Sequence, residues 1–228
     1  MARESWSGGT SLPRHRHRHS YAAIVLGGGY DEFGDAGLLR ALAGHVVVHT
    51  PFEAHRNDFR PAGAEVLNLE LPDDAHVVSA FGRIDDPDTI VRLAERDPRE
   101  ACTLLRTMLR AETPAPSDWP DLLARDIAVN PDLRLSDWAS RHGFALASVS
   151  RGFHRAFAVT PSAFRAQLRA RHAWRRLTNC GLPLARIAAE AGFADQAHMT
   201  RAVRALTGRP PSHWRGSNGF KTAARPQR

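Results

Sequence analysis

The amino-acid sequence predicts a mixed α+β chain in two halves, a small antiparallel β domain followed by an all-helical one. Three observations carry this. The first half shows period-two alternation and short apolar runs punctuated by glycine and proline. The second half has helical period almost throughout. Within that second half a segment of about thirty residues occurs twice. The chain has 228 residues, of which 43% are hydrophobic and 24% charged. That length suits one or two domains at roughly 100–200 residues each, and the composition excludes wholesale disorder. No apolar run approaches the ~18 residues of a membrane helix. The opening MARESWSGGTSLPRHRHRH has no apolar core and does not read as a secretory signal. The two cysteines, Cys102 and Cys180, stand in no metal-type spacing. They read as small packed hydrophobes in a cytoplasmic protein, not as a disulfide scaffold.

Charge divides along the same line. Residues 1–115 hold 13 Lys+Arg against 17 Asp+Glu, and residues 116–228 hold 18 against 7. A genome rich in arginine codons explains Arg over Lys, since Lys221 is the sole lysine. It does not explain the loss of acids from one half. A basic half of this kind suits a polyanion, most simply nucleic acid.

In chain order, Tyr21–Leu26 (YAAIVL), His45–His49 (HVVVH), Val66–Leu71 (VLNLEL) and His76–Phe81 (HVVSAF) read as short strands. Gly27–Gly29 reads as a turn; with no GK[ST] after it and no helix to open, it is not a phosphate loop. Residues 12–81 have room for seven or eight short strands. Two helices are expected over Asp86–Arg96 and Arg99–Arg110, with Ile90, Val91, Leu93, Leu104, Leu105, Met108 and Leu109 as their apolar set. Three prolines in Ala111–Pro120 (AETPAPSDWP) mark a linker. The expected organisation is a β domain over 1–85, a helical pair over 86–110, a linker over 111–120, a helical domain over 121–215, and a basic, disordered tail over 216–228.

The repeat aligns Leu135–Arg165 with Leu184–Arg215. Trp138, Ala139, Gly143 and Phe144 match Ile187, Ala188, Gly192 and Phe193 at an offset of 49. Val149, Arg151, Phe153, Pro161 and Arg165 match Met199, Arg201, Val203, Pro211 and Arg215 at an offset of 50, so the turn holds one inserted residue. Each copy reads as a short helix (Ser136–His142; Leu184–Ala191) stopped at a glycine, which accepts the left-handed φ that ends a helix. A second helix follows, with a buried stripe of Val149, Phe153 and Phe157, or Met199, Val203 and Leu206. Its outward face is polar and basic. Two short helices around a tight glycine turn describe a helix-turn-helix.

At these residues the sequence resembles the tandem helix-turn-helix domain of the AraC/XylS family of bacterial transcription regulators, over about Asp121–Arg215. The second copy, IAAEAGFADQAHMTRAVRALTGRPPSHWR, carries the family's IA…GF…R…GxxPxxWR pattern. Three positions depart from it. Ala145 stands where a capping serine is usual, Ala158 where a helix-ending glycine is usual, and Val203 replaces a phenylalanine. The resemblance implies that the two second helices enter successive major grooves of double-stranded DNA, held about one turn (~34 Å) apart by a helix containing Arg165–Arg176. It implies base contacts from Ala147, Ser150 and Arg151 in the first copy and from Gln196, Thr200 and Arg201 in the second. Arg155, Arg169, Arg175, Arg204 and Arg215 are the candidates for phosphate. The plainer alternative is a solvated basic face on a helical bundle.

The family usually joins this domain to a sensor, often a cupin barrel, and the first half has cupin-like pieces. His15, His17 and His19 alternate before the first strand. Gly44, Pro51, His55 and Asn57 resemble the second cupin motif. Alternating histidines on a strand share a side, and imidazole suits Zn, Fe, Ni or Cu. His15, His17 and His55, with Glu53, are therefore candidate ligands for a divalent metal or polar groups for a small-molecule effector. The glutamate usual after HxH is absent, and Tyr21 holds about that place. The plain alternative is a solvated, arginine-interleaved edge. No cofactor is required by the sequence.

The expected fold is thus α+β: a small cupin-like antiparallel β-barrel, then an all-α tandem helix-turn-helix DNA-binding domain. The expected function is a cytoplasmic, sequence-specific transcription regulator and not an enzyme. Its expected partners are double-stranded DNA and, by the resemblance, RNA polymerase, with an effector in the barrel as a further expectation; the 86–110 helices either make a homodimer contact, as the resemblance implies, or simply cover the barrel. The rival is a metal-dependent cupin enzyme whose basic half docks on nucleic acid. Methyltransferase relatives are disfavoured, because neither cysteine has their proline-cysteine-histidine surroundings.

Overall fold

The computed structural model describes residues 2–72, 80–114 and 118–215. Eight strands, β1 (Ala2–Trp6), β2 (Ser11–Arg16), β3 (Tyr21–Gly34), β4 (Gly37–Leu42), β5 (His45–His49), β6 (Ala54–Glu70), β7 (Phe81–Arg83) and β8 (Arg110–Ala111), make one antiparallel sheet. Its spine is the long pair β3–β6. On its outer edges β3 takes β4 and β5, while β6 takes β1 and β2. Among the described residues the strands pair in the order β1-β6-β3-β5-β7-β8, an open path. The architecture is α+β, and the β half is a sheet curved round an interior cavity.

Period-two alternation sorts the side chains into two cores. Ala22, Ile24, Val46, Val48, Leu67 and Leu69 lie on one face, and the helices α1 (Pro87–Ala94) and α2 (Pro98–Met108) cover them with Ile90, Ala94, Ala101, Cys102 and Leu105. Ala23, Val25, Val47, Phe59 and Val66 lie on the other face, towards the cavity. Both faces being buried explains why HVVVH reads as a continuous apolar run. Asp86 and Asp97 cap the two helices, each followed by a proline at the first helical position, as helix starts favour. The apolar side of this helical pair is spent on the sheet.

The expected turn at Gly27–Gly29 is corrected: these glycines lie inside β3. The register slips on either side of them, between Val25 and Gly27 and between Gly28 and Tyr30. Gly28 has φ +65°, and a Cβ there would stand 2.1 Å from the Gly63 carbonyl oxygen. Glycine here marks a bulge with close backbone approach, not a chain reversal. The strand expected over His76–Phe81 is seen only at its end, as β7; residues 76–79, like 115–117 of the expected linker and the 216–228 tail, lie outside the described residues. β1 precedes every strand expected from the sequence.

The helices that follow are α3 (Trp119–Val129), α4 (Leu135–Arg141), α5 (Leu146–Phe157), α6 (Pro161–Asn179), α7 (Leu184–Glu190), α8 (Gln196–Thr207) and α9 (Pro211–Trp214). The described chain packs as two compact units, residues 2–125 with 151–158, and 126–150 with 159–215. In the first, the Asp121 carboxylate accepts the Leu38 N–H at 2.9 Å, and Arg125 donates to the Ala36 and Pro114 carbonyls. In the second, α6 is the spine on which α7, α8 and α9 pack. Phe164, Ala173 and Leu177 of α6 and Ile187, Met199 and Val203 of the later helices are buried.

Candidate nucleic-acid interface and a histidine-lined cavity

The repeat in the sequence is a repeat in hydrogen bonds. After α4 the Gly143 N–H donates to Ser140 O and the Phe144 N–H to Ala139 O; after α7 the Gly192 N–H donates to Ala189 O and the Phe193 N–H to Ala188 O. Gly143 and Gly192 have φ +71° and +73°, the conformation that stops a helix and turns the chain. The second helices close alike, Ala158 N–H on His154 O and Gly208 N–H on Arg204 O, both at 2.8 Å. Phe193 is buried in its corner, whereas Phe144 is 36% exposed and stacks on Trp138 at 6.2 Å.

The three departures from the family pattern have physical consequences. In α8 the Asp195 side chain caps the start by accepting the His198 N–H at 2.6 Å; the equivalent Ala145 offers no side-chain acceptor. Gly208 ends α8 at φ +74°, and Ala158 takes the same left-handed conformation at φ +58° with a Cβ. Val203 is fully buried. One role went unread in the sequence. The Thr207 hydroxyl donates to Val203 O and accepts the Trp214 indole N–H at 3.0 Å. That contact pins α9 to the end of α8, with Trp174 edge-on to Trp214. The tryptophan of the PxxWR motif is thus a clasp.

The stripe residues Val149, Phe153, Phe157, Met199, Val203 and Leu206 are buried, as the period predicts. Between them, Ala147, Arg151 and Arg155 on α5 and Gln196, Arg201 and Arg204 on α8 are exposed; Ser150 and Thr200 are half-buried. Other arginines are engaged within the helical unit. Arg169 binds Pro131 O and the Asp132 carboxylate, and Arg176 and Arg186 share Glu190. Arg169 is therefore a strut between α6 and the loop before α4. Arg201 and Arg204 form no ion pair among the described residues.

The first unit holds a second constellation, built by strand register. His15 stands opposite His55, Tyr21 opposite His49, and Glu32 opposite Asn57. His17 follows β2 and leans on the same group, its ring 5.0 Å from His15 and 4.7 Å from Tyr21. The His15 and His49 rings lie 4.4 and 4.3 Å from His55. His15 Nδ1 is 2.8 Å from the Pro13 carbonyl. A carbonyl only accepts, so that nitrogen carries a proton. Behind the histidines, Glu32 Oε2 accepts from Asn57 Nδ2 at 3.0 Å and stands 3.5 Å from His49 Nε2. The Tyr21 hydroxyl is 3.3 Å from His55 Nε2. The cavity they line has a volume of about 90 Å³.

Burial first, and Glu53 second, push the Glu32 carboxyl up to about 8. Burial first, then His49 and the other histidines, hold the His55 imidazolium far below its ordinary range. Burial and His15 lower His17 as well. Of the residues singled out in the sequence, His15, His17 and His55 stand together. Glu53 stands apart, accepting the Thr50 N–H and hydroxyl at 3.1 and 3.0 Å to hold the turn before β6. Glu32 and His49 were missed. The signal for His49 was its position at the end of HVVVH, on the side opposite Val48. Glu32 had no signal without the register of β3 on β6.

Known proteins resemble the chain chiefly in its second half. Residues 138–217 match a family described as a helix-turn-helix domain. The virulence regulon transcriptional activator VirF of Yersinia enterocolitica is 32% identical over 82 residues, 36% of this chain. The match spans 30% of that relative's length. Among solved structures, a regulator with an AraC-type DNA-binding domain from Chromobacterium violaceum aligns with 43% of this chain and 90% of its own, at 20% identity and TM-score 0.40. ToxT from Vibrio cholerae O395 aligns with 93% of this chain and 96% of its own, at 9% identity and TM-score 0.42. At residues 138–217 the chain thus carries a helix-turn-helix domain, and over 82 residues it is similar to a transcriptional activator.

Proposed function

We propose that this chain is a sequence-specific, double-stranded-DNA-binding transcription regulator whose two helix-turn-helix units read successive major grooves. The observation that carries the proposal is the pair of units with matching turn and closing bonds, each presenting an exposed arginine at the same place, Arg151 and Arg201. Arginine binds guanine bidentately and glutamine binds adenine, so Arg151, Gln196 and Arg201 are the base readers. Ala147, Ser150 and Thr200 shape the surface around them. Arg155 and Arg204 supply phosphate contacts that position the helices without specifying sequence. A basic second half and an acidic first half favour this division of labour. No helix among the described residues is long and apolar enough to cross a membrane, and a cytoplasmic regulator acting through RNA polymerase is the natural setting.

The β unit is the sensor in this proposal, with its cavity as the effector site. A catalytic role has no observation in its favour beyond the histidines. The test is a binding-site selection with wild type and Arg201→Ala. The variant loses about 1–3 kcal/mol on the selected site and relaxes preference at one base position. Equal loss on every sequence would leave Arg201 a phosphate contact and remove it from base reading.

A further inference from the structure

We propose that the β unit holds one divalent first-row transition ion on Glu32, His49 and His55. Their donor atoms lie within 4.8 Å of one another, and all three residues are buried. They come from three strands, β3, β5 and β6, and the registers of β5 and β6 on the shared β3 fix the group before any ion arrives. Two imidazoles and one carboxylate suit the Fe(II)-to-Zn(II) part of the series. Calcium and magnesium need six or more oxygens, which this cluster lacks.

Three details favour an ion over other readings. Glu32 is 3% exposed, and its polar neighbours are Asn57 and His49; a carboxylate this deep is stable as an anion only beside a cation. His55 is 2% exposed, and its Nδ1 is buried without a hydrogen-bond partner. The cavity of about 90 Å³ is far below the ~300–1,000 Å³ of organic-ligand pockets and suits an ion with a few waters. A second triad, His15, His17 and His55, shares His55 with the first. His17 is exposed there and the set has no carboxylate, so it forms the mouth and the Glu32 triad the floor.

The assignment rests on the β unit's own residues, so its failure leaves the DNA-binding proposal standing. The test is Co(II) titration of the metal-stripped full chain, followed by visible absorption and elemental analysis. About one ion per chain is expected in the wild type and in His17→Ala. Glu32→Gln, which keeps the Asn57 bond, and His49→Phe, which keeps the ring stacked on Tyr21, each weaken binding by ~100-fold or more. Each variant counts only if it melts cooperatively, and the pair guards against one of them failing to fold. No stoichiometric uptake by the wild type overturns the proposal. So does loss in His17→Ala with retention in Glu32→Gln, which moves the ion to the outer histidines.

Discussion

At the residue scale, α5 lacks two devices that α8 has. Ala145 cannot cap where Asp195 does, and Ala158 holds a left-handed φ of +58° where Gly208 holds +74°. A side chain in that region costs roughly 1–2 kcal/mol, partly offset by the entropy that glycine loses on folding. Ala158→Gly is therefore expected to stabilise the chain by up to about 1 kcal/mol, and Ala145→Ser by a similar ~1 kcal/mol. Denaturant melts of the single variants check both. Both positions were legible in the sequence, because the second copy shows what the first one lacks. Glu32 was not legible: nothing local marks a glutamate in YDEFG as interior until β6 is laid beside β3. Its pH signature follows from burial. A carboxyl raised from 4.5 to about 8 binds its proton more tightly in the folded chain. It therefore lowers stability as pH rises through that range. His55 works oppositely, costing stability as pH falls below its ordinary 6.5. Between about 6.5 and 8 the Glu32 decline stands clear of His55. With chelator present, Glu32→Gln is expected to flatten thermal stability across that window, and an unchanged slope would contradict the assignment.

At the scale of elements, the helical repeat was readable because its helices carry local signals: 3.6-residue stripes, stopping glycines at Gly143, Gly192 and Gly208, and a capping Asp195. The sheet was less so. A period-two scan ends at each glycine, yet Gly27–Gly29 lie within one 14-residue strand, since a bulge absorbs them. β1, with the charged sequence ARESW, has no apolar alternation to betray it and is recruited by pairing with β6. The Thr207–Trp214 clasp belongs to this scale. Thr207→Val leaves the Trp214 indole N–H and the Arg209 N–H without their acceptor. A buried donor without a partner costs about 1–3 kcal/mol. The expected result is loss of α9 docking, seen as lower thermal stability and a shifted Trp214 indole resonance, with the fold of α4 and α5 kept.

At the scale of the whole molecule, the sequence foretold two halves of opposite charge and different secondary structure, and the structure has a β unit and a helical one. The helical unit's exposed Arg201 and Arg204 and the acid-poor second half give the proposed DNA binding a definite salt signature. Each phosphate neutralised contributes a slope of about −0.9 in log affinity against log salt. Arg204→Ala is expected to reduce that slope by about 1 while leaving base preference intact, whereas Arg201→Ala changes base preference.

The most direct test of the central claim is a footprint of the full chain on its selected site, taken with wild type, Arg151→Ala and Arg201→Ala. Two units reading successive grooves predict two protected patches about one helical turn, ~10 base pairs, apart. Each variant should weaken the patch of its own unit first. A single patch, or the same uniform loss from either variant, would contradict it.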